Sequence, residues 1–239
     1  GGSGGNLTHI RSRVDRNVKA GATSFDAESG NNWGVHGRGY YIANKLLWNP
    51  SADVDALLAD FYDKAFGPGA AAMRRYYERV APDGKPLLGR GLVGEAFRDV
   101  EEAARLAKDR PDVQARLDQL KHYLRYVHLR WQLDHEKDKA KQKELTIATL
   151  THAYRTRYAY MNHWSAMRLS FAGDAAKKFD EPGWQLNDKS PKPWLVETPV
   201  AHEETEQWFR EGLAYFQPTP VKEVKFSDDL VPAGFTDAK

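Results

Sequence analysis

The sequence predicts a mainly α protein, a helical bundle preceded by one helix–strand–helix corner. Apolar residues recur at helical spacing through most of residues 51–216, which is the periodicity of one-sided burial on helices. Thr23–Glu28 is the one clear alternating stretch, with Phe25 and Ala27 on one side and Ser24, Asp26 and Glu28 on the other. Ala22–Pro50 also collects carboxylates, amides, an indole, an imidazole and glycines between two apolar runs. The expected organisation is a linker over 1–5, a helix–strand–helix unit over 6–50, a helical bundle over 51–216, and an extended tail over 217–239 leading toward a following domain.

The elements follow in order. Leu7, Ile10, Val14 and Val18 mark an amphipathic helix that Gly21 stops. Asn6-Leu7-Thr8 matches the glycosylation acceptor pattern. Ser29–Gly34 reads as a loop, and a helix begins near His36, apolar nearly all round and so expected to be buried on most sides, until Pro50 ends it. A lone parallel strand cannot satisfy its own backbone, so its sheet partners are expected outside this sequence.

Asp53 is placed to cap a helix that Gly67 stops and Pro68 follows. Met73, Tyr76, Tyr77 and Val80 mark the next helix, and Leu92 to Ala107 another that ends before Pro111. Val113, Leu117, Leu120, Leu124, Val127 and Trp131 draw one narrow seam along a helix to about Asp138. A second long helix is predicted over Ile147–Phe171, joined through the polar EKDKAKQKE into an antiparallel hairpin. Gly173–Pro199 reads as an extended segment lying on the bundle, Glu203–Phe216 as a last helix, and Val221–Phe226 as a weak strand.

Composition narrows function. A net charge of +2, with Lys and Arg interleaved among Asp and Glu, argues against a nucleic-acid partner. No apolar run reaches the ~20 residues of a membrane span. The absence of cysteine excludes disulfides and thiolate chemistry. His122 and His128 fall on different helix faces and make no metal pair, the glycines of GVHGRGYY match no phosphate loop, and no Gly-x-Ser-x-Gly elbow occurs. No cofactor or metal is expected. The aromatic and basic YRTRYAYMNHW is read as a bundle face with snorkelling arginines.

Candidate ligand groups cluster between residues 26 and 36. Asp26 and Glu28, two apart on one strand face and ~7 Å apart along the backbone, could supply half of a glycosidase carboxylate pair or hydrogen-bond sugar hydroxyls. Trp33 offers an apolar platform to a sugar ring. Asn32 and His36 are candidate hydroxyl partners. Each has a structural alternative: a carboxylate capping the following helix or pairing with Arg38, an indole buried under the loop, an amide satisfying the turn, an imidazole beginning the helix.

AESGNNWGVHGRGYYIANKLLWNPSADVDALLADFYDKAFGPGAAAMRRYYE resembles the bacterial family known as domain of unknown function 4838, strongly over Gly21–Glu78 and more loosely to Phe226. The resemblance implies a glycoside-hydrolase-like (β/α)8 barrel in a secreted or periplasmic protein, with residues 6–50 as its last unit. In related α-glucuronidase and hexosaminidase architectures a late-strand carboxylate or Trp contacts sugar, while acid and nucleophile come from earlier strands. Asp26, Glu28, Asn32, Trp33 and His36 are therefore expected to bind an oligosaccharide or polysaccharide together with a preceding part of the same protein, and the isolated chain is expected to show no turnover. The alternative is a non-catalytic helical scaffold or interaction module.

Overall fold

The computed structural model describes residues 5–25, 30–83 and 89–218, and among them it holds ten α-helices and no strand. Residues 22–25 carry no regular structure. Thr23–Phe25 is therefore not a strand here, because a strand needs a neighbour for its N–H and C=O groups and no described segment supplies one. Asp26–Glu28, the remainder of that predicted strand, and Val221–Phe226 lie outside the described residues.

Helix α1 (Leu7–Lys19) is capped twice at its start. The Asn6 side chain accepts from His9 N at 2.6 Å, as an N-cap should. Asp83, distant in sequence, accepts from Leu7 N at 2.8 Å and from the Thr8 hydroxyl, while the Asn6 amide donates to the Asp83 carbonyl. Burial opposes ionisation of Asp83, yet these hydrogen bonds hold its carboxyl below the usual range. Both polar side chains of the Asn6-Leu7-Thr8 pattern are thus engaged within the fold.

Helices α2 (Trp33–Trp48), α3 (Val54–Phe66) and α4 (Ala70–Val80) pack with α1 around a cluster of aromatics. Phe61 touches Tyr41, Tyr62, Phe66 and Tyr77, with ring centroids 5.2–5.9 Å apart, distances at which aromatic pairs add to simple burial. The predicted boundaries hold: Asp53 accepts from Asp55 N and Ala56 N, and Gly67 takes a positive φ of 47° that favours glycine. The expectation that α2 is buried on most sides is corrected at its end, where Trp48 is 92% exposed.

Arg38 joins these elements from inside. It is buried, and its guanidinium donates to the carbonyls of Gly5 at 3.4 Å and Ala81 at 2.6 Å. Ala81 is the residue that ends α4, so a fixed cation faces the negative end of that helix. The contact also sets direction. Gly5, before α1, meets Arg38 near the start of α2, whereas Arg11 within α1 reaches the carbonyl of Ala52, beyond the end of α2, at 3.0 Å. The two helices therefore run the same general way.

Helix α5 (Arg90–Leu106) is tied to α4 by Asp99, which is buried and accepts from Arg75 Nε at 2.9 Å and Arg79 Nε at 2.8 Å. Pro111 opens α6 (Pro111–His135), which the three residues 136–138 join to α7 (Lys139–Arg155). So short a link makes the pair antiparallel. His152 Nε2 meets the His122 carbonyl at 2.8 Å, each lying equally far from the turn. Asp138 caps α7, accepting from Lys141 N, so only the start of the polar EKDKAKQKE stretch is loop.

The predicted seam on α6 is widened. Val113, Leu117, Leu120 and Leu124 are buried as expected, but so are Lys121, His128, Leu129 and Leu133. The helix lies between α5, α7 and α10 (His202–Tyr215), and a helix packed on several sides has no narrow stripe. Lys121 survives burial because Asp118 and Glu206 take its ammonium.

The second long helix predicted over Ile147–Phe171 is corrected to four shorter pieces, which α9 then follows. Helix α7 stops at Arg155, a 3-10 turn follows at Arg157–Ala159, and Tyr160 adopts a left-handed φ of 55°. Then come α8 (Trp164–Ala166), a π-helix (Met167–Phe171) and α9 (Ala172–Phe179). Arg155 helps fix the break, since Glu204 holds it at 2.7 and 2.8 Å and it donates to the carbonyls of Thr198 and Pro199. The extended segment expected from Gly173 begins later, because α9 and a 3-10 turn at Pro182–Trp184 intervene.

Two predictions follow from this packing. Replacing Arg38 by Met leaves two carbonyls unpaired and should destabilise the fold by about 3 kcal/mol, read as a lower urea midpoint at unchanged slope. The second concerns His122, His128 and His152, whose pKa values burial lowers to about 4, about 4 and about 3. Unfolding restores the ordinary value of about 6.5. Their stabilising contribution is complete above that pH and is lost as pH falls toward the folded values, because the unfolded chain then binds more protons. The thermal midpoint should drop between pH 7 and pH 4.5, and His152→Gln should flatten that slope; equal slopes for variant and parent would contradict the assignment.

Candidate functional site

The first turn of α2 carries the candidate corner. Asn32 occupies the N-cap position, and its side chain makes no capping bond. Trp33 is the first helical residue, not a loop residue as the sequence suggests. The helix starts earlier because Asn32 O accepts from His36 N at 2.8 Å. The indole is 41% exposed. Two contacts fix it: Trp33 N donates to the Tyr160 carbonyl at 3.0 Å, and Tyr40 meets the ring edge-on at 5.2 Å.

His36 stands one turn further along the same face. Its ring lies 5.9 Å from that of Tyr40, and Nδ1 is buried with no hydrogen-bond partner among the described residues. Burial lowers its pKa, so the imidazole is neutral at pH 7 and offers both a donor and an acceptor nitrogen. The Tyr40 hydroxyl lies against the backbone of Gly30 and Asn32, and burial raises its pKa despite those contacts. It remains a phenol donor at neutral pH.

The structure therefore brings Asn32, Trp33 and His36 together. Asp26 and Glu28 lie outside the described residues, and no geometry is attached to them. Arg38, the expected alternative partner for a carboxylate, is engaged by the Gly5 and Ala81 carbonyls. Sequence reasoning missed Tyr40 and Tyr160. Tyr40 was visible as the continuation of the 33–36 face by one further turn, whereas Tyr160 is joined only through tertiary packing. Tyr160, whose carbonyl holds Trp33, is 49% exposed, so the corner presents aromatic groups with polar ones beside them. Such a surface can hold a flat, hydroxyl-rich ring by stacking and hydrogen bonding; it contains no nucleophile and base in hydrogen-bonding reach of each other among the described residues.

One cluster has a metal-like donor set. Asp118, His202 and Glu206 present ligand atoms within 4.8 Å of one another, but Lys121 donates to Asp118 at 2.9 Å and to Glu206. The buried ammonium supplies the positive charge these carboxylates need, and His202 bonds Asp118 at 2.9 Å. The group reads as an ion-pair node between α6 and α10.

Close packing beneath the corner is strict at Gly34. A Cβ there would lie 2.7 Å from Tyr123 Cβ and nearer still to the Tyr123 ring, and the Gly34 carbonyl accepts from the Tyr76 hydroxyl at 2.9 Å. Gly34→Ala should destabilise by about 2 kcal/mol despite the better helix propensity of alanine, since overpacking outweighs it. Urea unfolding checks this, and a neutral result would mean that α2 and α6 separate freely.

Comparison with known proteins reaches the N-terminal third of the chain. Neither the curated proteins nor the solved structures yield a match. A family model described as Domain of unknown function (DUF4838) matches residues 6–79, from the cap of α1 into the last turn of α4, the segment whose ends Arg38 and Asp83 hold together. Over those residues, about a third of the chain, the sequence is similar to that family.

Proposed function

We propose that residues 6–50 are the last unit of a glycoside-hydrolase-like barrel and present one wall of a glycan-binding pocket, with the following helices as its buttress. The observation that carries this reading is Trp33: a large indole, exposed at a helix start, held rigidly by the Tyr160 carbonyl and the edge of Tyr40. A preorganised aromatic costs little ordering on binding; Asn32 stands beside it with a side chain not spent on the helix cap, and His36 follows on the same face. The shared direction of α1 and α2 supports the barrel reading, because consecutive helices of a βα unit run the same way. Asp26 and Glu28 would add carboxylates to the same wall.

The scaffold reading draws on Trp48, which is 92% exposed at the far end of α2; an aromatic so placed suits a protein interface. One experiment separates the two. The chain is run through native gels containing neutral soluble polysaccharides, with Trp33→Ala and Glu28→Ala alongside. Retardation by at least one polysaccharide is expected, weakened about tenfold by Trp33→Ala, as loss of a stacking platform implies. Unchanged retardation in both variants refutes the site, and no retardation by any polysaccharide favours the scaffold.

A further inference from the structure

A second surface lies beyond the corner, outside the family match. Leu150, Ala172, Ala175, Ala176, Phe179, Trp184 and Trp194 form a small core of their own, which opens into a cleft of about 400 Å3. Two aromatic pairs line it. Tyr154 and Trp164 meet edge-on at 5.3 Å, and Trp184 and Trp194 meet edge-on at 5.2 Å. A cavity of this size with aromatic walls and a few polar groups is of the kind that holds a small ligand or one unit of a chain.

The charge of the lining is one-sided. Arg168, Lys189 and Lys192 stand against a single carboxylate, Asp188. Lys192 is already engaged, donating to the carbonyls of Gly183, Asp188 and Ser190, and Asp188 accepts from Ser190 N at 2.7 Å. Those bonds pin the 183–192 loop. Arg168 and Lys189 are exposed and pair with no carboxylate among the described residues. Arg168 lies in the π-helix Met167–Phe171. A π-turn is a strained departure from α geometry that tends to persist where side chains must be re-aimed at a site, and here it stands between Trp164 and α9 at the cleft wall.

We propose that this cleft binds a saccharide unit bearing a carboxylate, a uronic acid residue of an acidic glycan. Trp164 and the Tyr154 ring edge-on to it, both half-buried above the buried Trp184 and Trp194, take the apolar face of the pyranose, and Arg168 with Lys189 takes the carboxylate through charge-assisted hydrogen bonds. The assignment is independent of the corner at Trp33, since it uses other residues and another charge balance.

The test titrates the full chain with tetragalacturonate and with a neutral glucose tetramer, following heat by calorimetry. Saturable binding of the acidic oligomer is expected, and any heat from the neutral oligomer should be lost in Trp33→Ala. Binding of the acidic oligomer should weaken about tenfold in Arg168→Gln, whose exposed position leaves the fold intact, and weaken as salt rises from about 50 to about 300 mM. Trp33→Ala should leave it unchanged. Absence of heat, equal binding of the neutral oligomer by Trp33→Ala, displacement by equimolar inorganic phosphate, or full binding in an Arg168→Gln, Lys189→Gln double variant would each overturn the proposal. So would loss of binding in Trp33→Ala with Arg168→Gln unaffected, which would move the ligand to the corner.

Discussion

A buried guanidinium organises the N-terminal half of this protein. Arg38 reaches backward to the residue preceding α1 and forward to the residue closing α4, so three elements far apart in sequence end at one point. A lysine could not do this equally well, because its compact ammonium lacks the planar fork that addresses two fixed carbonyls from one side chain. Asp83 completes the junction with the opposite charge, set against the N–H groups that open α1. The pair respects the helix dipoles at both places, cation at a C-terminus and anion at an N-terminus. The start of α2, and with it the candidate site, is positioned by that junction.

Much of the fold could be read from sequence wherever a local signal had a local cause. Asp53 and Gly67 bound α3 as their side-chain chemistry and backbone freedom require, and the α6–α7 hairpin followed from two apolar series separated by charge. The failures had distant causes. Nothing near Arg155 in sequence announces that Glu204 and two carbonyls beyond the bundle will hold it, and the apolar spacing continues past the break as if the helix did. Lys121, His128 and His152 carry no local signal of burial, and neighbours on other helices enclose them.

The candidate site divides in the same way. Trp33 and His36 stood out because an indole and an imidazole are costly choices for a polar turn, and the structure places both on one face with Tyr40. What the sequence could not show was the platform's support. The Tyr160 carbonyl is available to Trp33 N because Tyr160 has left helical geometry, and a bulky aromatic holds a left-handed conformation only where surrounding contacts impose it.

That observation gives the broken helix a purpose. Had residues 147–171 continued as one helix, the Tyr160 carbonyl would have been taken by the N–H four residues on, and the first turn of α2 would have lacked this acceptor. Instead the chain turns at 156–163, one end of the turn bracing Trp33 and the other placing Trp164 against Tyr154 at the edge of the second cleft. Departure from regular helix thus serves two surfaces at once: it frees a carbonyl for one, and through the following π-helix it sets Arg168 on the rim of the other. The irregular segment is where the helical bundle turns toward both the Trp33 corner and the cleft lined by Arg168.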